Sequence, residues 1–318
     1  MCQILWVLFW LHEMRNRRGL CTYRKWEGRV TLPEIDAIIR TDESFRNREQ
    51  QTHHTGLSVH ENLPINMTNV FPIDPMHLVY LGVMRKLLHI RCNQRRSMKV
   101  RISKQIITEI SGILEAIAKL IPVEFSRKTR SLNEVSRLKA TECRLKLIYV
   151  LPVILKHRLP DEVYNHFMLL HIAIRIFTCN EKVKEEDNIE YANNLLIRFV
   201  HQSPIIYGDQ FVSYNFHNLI HLADECKRLC AMETFSCFSF ENHLGKLKNL
   251  VRNCALPLEQ LVNRVTELGF NTPLISETNI TQAGCTKLIS EHYSGPVIFG
   301  LIGQQFERVL FRGLKLSC

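Results

Sequence analysis

The chain has 318 residues, enough to bury a full core as one large domain or two modest ones. Hydrophobic residues make up 46% and charged residues 23%, the balance of a folded protein, so wholesale disorder is excluded. A formal net charge of +10 favours a polyanionic partner, nucleic acid first and an acidic membrane surface second.

The first apolar run, Ile4–Leu11, is far shorter than the roughly 20 residues that span a bilayer. No basic residue precedes it and no small-residue cleavage site follows, so it reads as a buried strand or the scar of a truncated start, and not as a secretion signal. Residues 12 to 70 are polar and weakly periodic, with a short helix expected over Thr31–Ile39, Thr31 capping and Pro33 in the first turn. Apolar positions from Met76 to about Ile90 predict a helix. Ile102, Ile106, Ile107, Ile110, Ile113, Leu114, Ile117 and Leu120 recur at three and four residues and predict an amphipathic one. Lys139–Leu155 is apolar and helical in pattern, with Pro152 kinking it or ending its first part. Asp161 is placed to cap the next helix, and another follows over Tyr191–His201. Ser213 opens Tyr214–Leu229, and Leu256–Leu268 is closed by Gly269. Beyond Phe270 the pattern turns to Gly, Thr, Asn and Ser with short apolar runs, where strands and loops are expected. The 11 cysteines are odd in number, scattered and without a CxxC, which suits reduced thiols in a cytosolic or nuclear protein.

Two short motifs carry ionisable groups in apolar surroundings, where charge is costly unless paired or ligated. In Asp74-Pro75-Met76-His77, the Asp and His lie three apart at a helix start, within hydrogen-bond reach on one face. Asp74 can hold His77 in one tautomer, the two can share a metal or phosphate, or Asp74 can simply be an N-cap with Pro75 in the first turn. In Ser239-Phe240-Glu241-Asn242-His243, Glu241 precedes Lys246, Lys248 and Arg252. Such a Glu can bind a divalent metal for phosphoryl transfer, or it can be a first-turn Glu steadied by the helix dipole. His217 and His221 with Cys226 and Cys230 are separately zinc-competent in type, although one continuous helix cannot bring both pairs to one point. Basic runs include Arg95, Arg96 and Lys99, and Arg127, Lys128 and Arg130 with Arg137, Lys139, Arg144 and Lys146. Either run alone fits a solvated helix face, and both fit phosphate contact.

The motif Asp74–His77 with Leu81-Gly82-Val83 resembles the DxxH element of the CACTA-type (EnSpm-like) DNA transposases. Glu124–Leu132, Leu138–Arg144, Tyr207-Gly208 and Asn215–Asp224 resemble that family's next blocks, and Phe240-Glu241-Asn242 falls where its third carboxylate is expected. The likeness runs from roughly Arg40 to Glu267. It implies a mainly α chain with a partial α/β portion: an incomplete RNase H-like core with a large helical insertion. Three regions follow: a degenerate remnant of the core at 1–70, the DxxH element, insertion and Glu-bearing helix at 71–270, and a truncated strand and loop segment at 271–318. Glu241 is then the ancestral third carboxylate and metal ligand, Asp74 and His77 its supporting pair, and Mg²⁺ or Mn²⁺ the ancestral cofactor. The basic residues Arg95, Arg96, Lys99, Arg127, Lys128, Arg130, Lys246, Lys248 and Arg252 would meet DNA in the nucleus, in a homo-oligomer without membrane contact. Departures weigh against catalysis. Ile4–Leu11, where the second Asp is expected, has no aspartate, and the first would lie further upstream. Arg24 stands where the knuckle after Cys21 needs its second Cys. The expectation is therefore a transposon-derived protein that binds nucleic acid, holds no metal and does not cleave. An active metal-dependent nuclease and a helical interaction module are the alternatives.

Overall fold

A computed structural model describes residues 24–26, 29–32, 34–49, 51, 54, 56–92 and 100–271, with strands at 287–292, 305–311 and 314–317. It is mainly helical, as the periodicities predict. The chain divides into two compact units, Met1–Gly245 and Lys246–Cys318, and the division falls inside the helix Phe238–Leu250. No helix of the described residues is long and apolar enough to cross a membrane.

In the first unit, the antiparallel pair Arg24–Trp26 and Arg29–Thr31 stands where a helix from Thr31 is expected. Thr31 ends a strand instead of capping, and the Leu32 amide donates to the Val212 carbonyl at 2.8 Å. That tertiary bond holds the backbone extended, which overrides a weak local preference. The core begins at Pro75, whose φ of −65° suits the first turn of a helix. Met76–Met84 is a π-helix and Arg85–Cys92 continues it as an α-helix. Leu78, Val79, Val83, Met84, Leu87 and Leu88 are all buried from it.

Lys104–Ala118, capped by the Ser103 hydroxyl, is the amphipathic helix its spacing predicts, burying Ile107, Ile110 and Leu114. Lys139–Leu155 is helical in three pieces, Ala140–Leu145, a π-turn at Lys146–Val150, and Leu151–Ile154 with Pro152 in its first turn. Proline lacks the amide that a regular helix would need there, and the wider turn before it absorbs the mismatch. Asp161–Phe177 and Glu186–Tyr207 form an antiparallel pair. Pro160, not Asp161, sits at the cap position, and Asp161 falls in the first turn where the helix dipole favours it. Phe167, Leu170 and Ile174 face Ala192, Leu196 and Phe199 in the core. Gly208, at φ +94°, ends the second helix in a conformation that L residues rarely adopt.

Tyr214–Leu229 is broken into Tyr214–His217, a 3₁₀ turn at Asn218–His221, and Leu222–Leu229. In the second unit, Pro257–Asn271 is one helix that runs through Gly269 rather than stopping there. The expected C-terminal strands follow as an antiparallel sheet in chain order, Lys287–His292, Gln305–Phe311 and Leu314–Ser317. The parallel strands of an RNase H-like core do not occur among the described residues.

Candidate functional site at the Asp74–His77–Cys237 junction

Asp74 fulfils two of the three readings its motif allows, helix cap and partner of His77. Its carboxylate caps the π-helix, Oδ1 accepting from the Met76 amide at 3.0 Å and Oδ2 from the His77 amide at 3.1 Å. The same Oδ2 makes a short contact with His77 Nδ1. A third amide, that of Cys237, donates to Asp74 Oδ1 at 2.8 Å from 163 residues away. Cys237 stands just before the helix Phe238–Leu250, and its carbonyl accepts from the Glu241 amide at 2.9 Å. One carboxylate thus fixes both the DxxH turn and the turn that presents Glu241.

Neighbouring contacts hold this junction. The ring of Phe238 lies 5.9 Å from that of Tyr80. The Ile73 amide donates at 3.1 Å to Glu225, which is fully buried and paired with Arg228 at 2.6 Å. Asn215 packs over Gly82 so closely that an added Cβ would lie 2.7 Å from its Cγ and 2.8 Å from the His77 carbonyl. The Leu81-Gly82-Val83 and Asn215–Asp224 blocks therefore meet at the back of the site.

Burial works against the Asp74 carboxylate, but the His77 ring and the Cys237 and Met76 amides outweigh it and hold its pKa below the ordinary value. The hydrogen bond to Asp74 raises that of His77, against burial, and the charge of Glu241 adds to the rise. The Cys237 thiol is pushed up to about 12, chiefly by burial and then by Asp74 and Glu241. At neutral pH the junction is a carboxylate facing a half-exposed imidazole, with a protonated thiol beside them. A thiol held this way is no nucleophile, since the thiolate is the reactive form. Among the described residues, only Asp74, His77 and Cys237 bring three metal-type donor atoms together, all within 4.8 Å of one another.

The other expected residues fall out as follows. Glu241 is exposed on its helix and lies outside that donor group. His217 and His221 are buried edge to face with centroids 5.5 Å apart, and no third donor joins them among the described residues. Burial lowers the pKa of His217 against a hydrogen bond with the Leu32 backbone. Cys226 is buried whereas Cys230 is exposed at φ +68° after the helix ends, so the four side chains do not converge.

Arg95, Arg96 and Lys99 lie outside the described residues. Arg127 and Lys128 are exposed and line a cleft with Arg130, Arg137, Lys139 and Glu142. Arg130 is committed to carboxylates: Nε and Nη2 donate to Glu142 at 2.6 Å each, and Nη1 reaches Glu134 at 3.3 Å. Glu142 is buried and needs that partner. Lys146, also buried, donates to the Arg130 carbonyl at 2.9 Å, and Arg144 pairs with Glu233 at 2.9 Å. Three cations of this run are thus structural, leaving Arg127, Arg137 and Lys139 towards solvent; Lys128 is exposed too, but its ammonium donates to the Ile121 and Pro122 carbonyls. In the second unit Lys246, Lys248 and Arg252 are exposed.

Sequence reasoning missed Cys237 and Glu225. Cys237 was legible in principle, because it stands one helical turn before Glu241. Glu225 had no local signal, since its partner Ile73 lies 152 residues away. Comparison with protein-family models, with curated proteins and with solved structures yields no match to this chain.

Proposed function

We propose that the chain is a transposon-derived relative of the CACTA-type transposases that binds DNA through its basic surfaces and does not cut it. The observation that supports this reading best is the Asp74–Cys237 bond. It sets the DxxH pair against the turn bearing Glu241, two elements that the resemblance links and that no local sequence rule would join. The Arg130–Glu142 ion pair, joining two further blocks of the resemblance, supports it independently.

In this reading the described helices are the insertion and the Glu side of an incomplete RNase H-like core, and Glu241 is the ancestral third carboxylate. Two-metal phosphoryl transfer needs several carboxylates around a pair of hard cations. Ile4–Leu11, the segment assigned to the second Asp, has none, and a site lacking that ligand would hold Mg²⁺ or Mn²⁺ too weakly for in-line attack. The exposed residues Arg127, Lys128, Arg137 and Lys139 in the first unit, and Lys246, Lys248 and Arg252 in the second, are the phosphate contacts. Such contacts act in the nucleus and suit a homo-oligomer spread along a duplex.

The test is incubation of the full chain with supercoiled and linear duplex DNA in Mg²⁺ or Mn²⁺. Bound but intact DNA is expected. Strand cleavage that disappears in Glu241→Ala would overturn the non-catalytic part of the reading.

A further inference from the structure

We infer that Asp74, His77 and Cys237 form a zinc-type metal site. The donors are of three kinds, a carboxylate oxygen, an imidazole nitrogen and a thiol sulfur, and their ligand atoms all lie within 4.8 Å of one another. Tetrahedral Zn²⁺ with bonds of about 2.0–2.3 Å needs donor atoms roughly 3.3–3.8 Å apart, and a donor set already within 4.8 Å is close to that spacing. The backbone is already fixed, because the three amides of Met76, His77 and Cys237 converge on Asp74.

Donor chemistry selects the metal. Mg²⁺ and Ca²⁺ take oxygen ligands, whereas a mixed sulfur, nitrogen and oxygen set suits Zn²⁺. The proposal therefore differs from the ancestral Mg²⁺ or Mn²⁺ assigned to Glu241 and stands without the transposase reading. Electrostatics favour a cation as well. Asp74 and Glu241 both act on Cys237 and His77, and Arg85 is the opposing cation felt at His77. Coordination through sulfur and Nδ1 removes the Cys237 thiol proton and the proton shared by His77 and Asp74, so binding releases protons to solvent and strengthens as pH rises.

The obvious competing role is a purely structural hydrogen-bonded junction, and one variant separates the two. Cys237→Ser keeps the backbone amide that bonds Asp74 and removes only the sulfur. Zinc and cobalt binding to chelator-treated full-length protein are measured in the wild type, Cys237→Ser and His77→Gln, with Cys230→Ser as the control for an exposed thiol. One equivalent of Zn²⁺ should bind to the wild type and to Cys230→Ser, with a thiolate-to-cobalt absorption band on Co²⁺ loading. Cys237→Ser should lose that band and at least tenfold in affinity, and His77→Gln should lose similar affinity while keeping the fold by circular dichroism. Equal affinity and an unchanged cobalt band in Cys237→Ser, or no stoichiometric Zn²⁺ in the wild type, overturns the assignment. Should Cys237→Ser fail to fold, His77→Gln decides alone: unchanged zinc affinity there overturns the site.

Discussion

At the scale of single residues, the junction rests on one charge pair whose pH behaviour follows from its shifts. His77, raised above its ordinary 6.5, contributes stability that is whole below that value and is lost as pH climbs through the raised one. Asp74, lowered below 3.8, contributes stability that is whole above 3.8 and is lost as pH falls through the lowered value. The pair is therefore at full strength between about pH 3.8 and 6.5, and the alkaline side is the accessible limb. With chelator present, the melting-temperature difference between wild type and His77→Gln should shrink as pH rises from 6 to 9; a constant difference would deny the charged pair. The buried Glu142 supplies a larger effect. Glu142→Gln strands the buried Lys146, whose ammonium burial already pushes down to about 8, and leaves Arg130 with Glu134 as its one carboxylate. A loss of about 3 kcal/mol in chemical denaturation is expected, and a loss under about 0.5 kcal/mol would mean the ion pair is idle. The Asp74–His77 contact was legible in the sequence from its spacing of three at a helix start, whereas Glu241, read as a charge in an apolar stretch, is exposed. The mutual placement of the two motifs was not legible, since it depends on the Cys237 amide.

At the scale of elements, helix positions followed from periodicity and helix type did not. The three- and four-residue recurrence in Ile102–Leu120 became Lys104–Ala118 almost unchanged, because an amphipathic helix is defined by the face it buries. The apolar positions over Met76–Ile90 gave no warning of a π-helix, because they are too dense to fix a period: Leu78, Val79, Tyr80, Val83 and Met84 are all buried. Packing within that helix is tight, with Gly82 lying under Asn215 and beside the His77 carbonyl. Gly82→Ala should therefore cost about 1–3 kcal/mol by overpacking, despite alanine's better helix propensity. Asn215→Ala in the same chain should recover part of that loss, and its absence in a double-mutant cycle would deny the contact. Thr31–Ile39 failed as a helix for a related reason, since its backbone is tied to Val212, a partner that no local signal reveals. Beyond Phe270, where strands and loops are expected, the described residues after the last helix are three strands.

For the whole molecule, the charge of +10 is the property on which the functional account depends, and the structure changes which cations express it. Arg130, Arg144 and Lys146 are consumed by Glu142, Glu134, Glu233 and a backbone carbonyl, so only part of the second basic run is left for a partner. Composition could not show this, because a net charge does not separate buried from exposed groups. The most direct measurement is duplex-DNA affinity of the full chain as a function of salt, for wild type and for a variant with Arg127, Lys128, Arg137 and Lys139 replaced by Gln. Log affinity should fall linearly with log salt, and the variant should lose roughly one unit of slope for each phosphate contact removed. Binding that ignores salt, or an identical slope in the variant, would contradict the account.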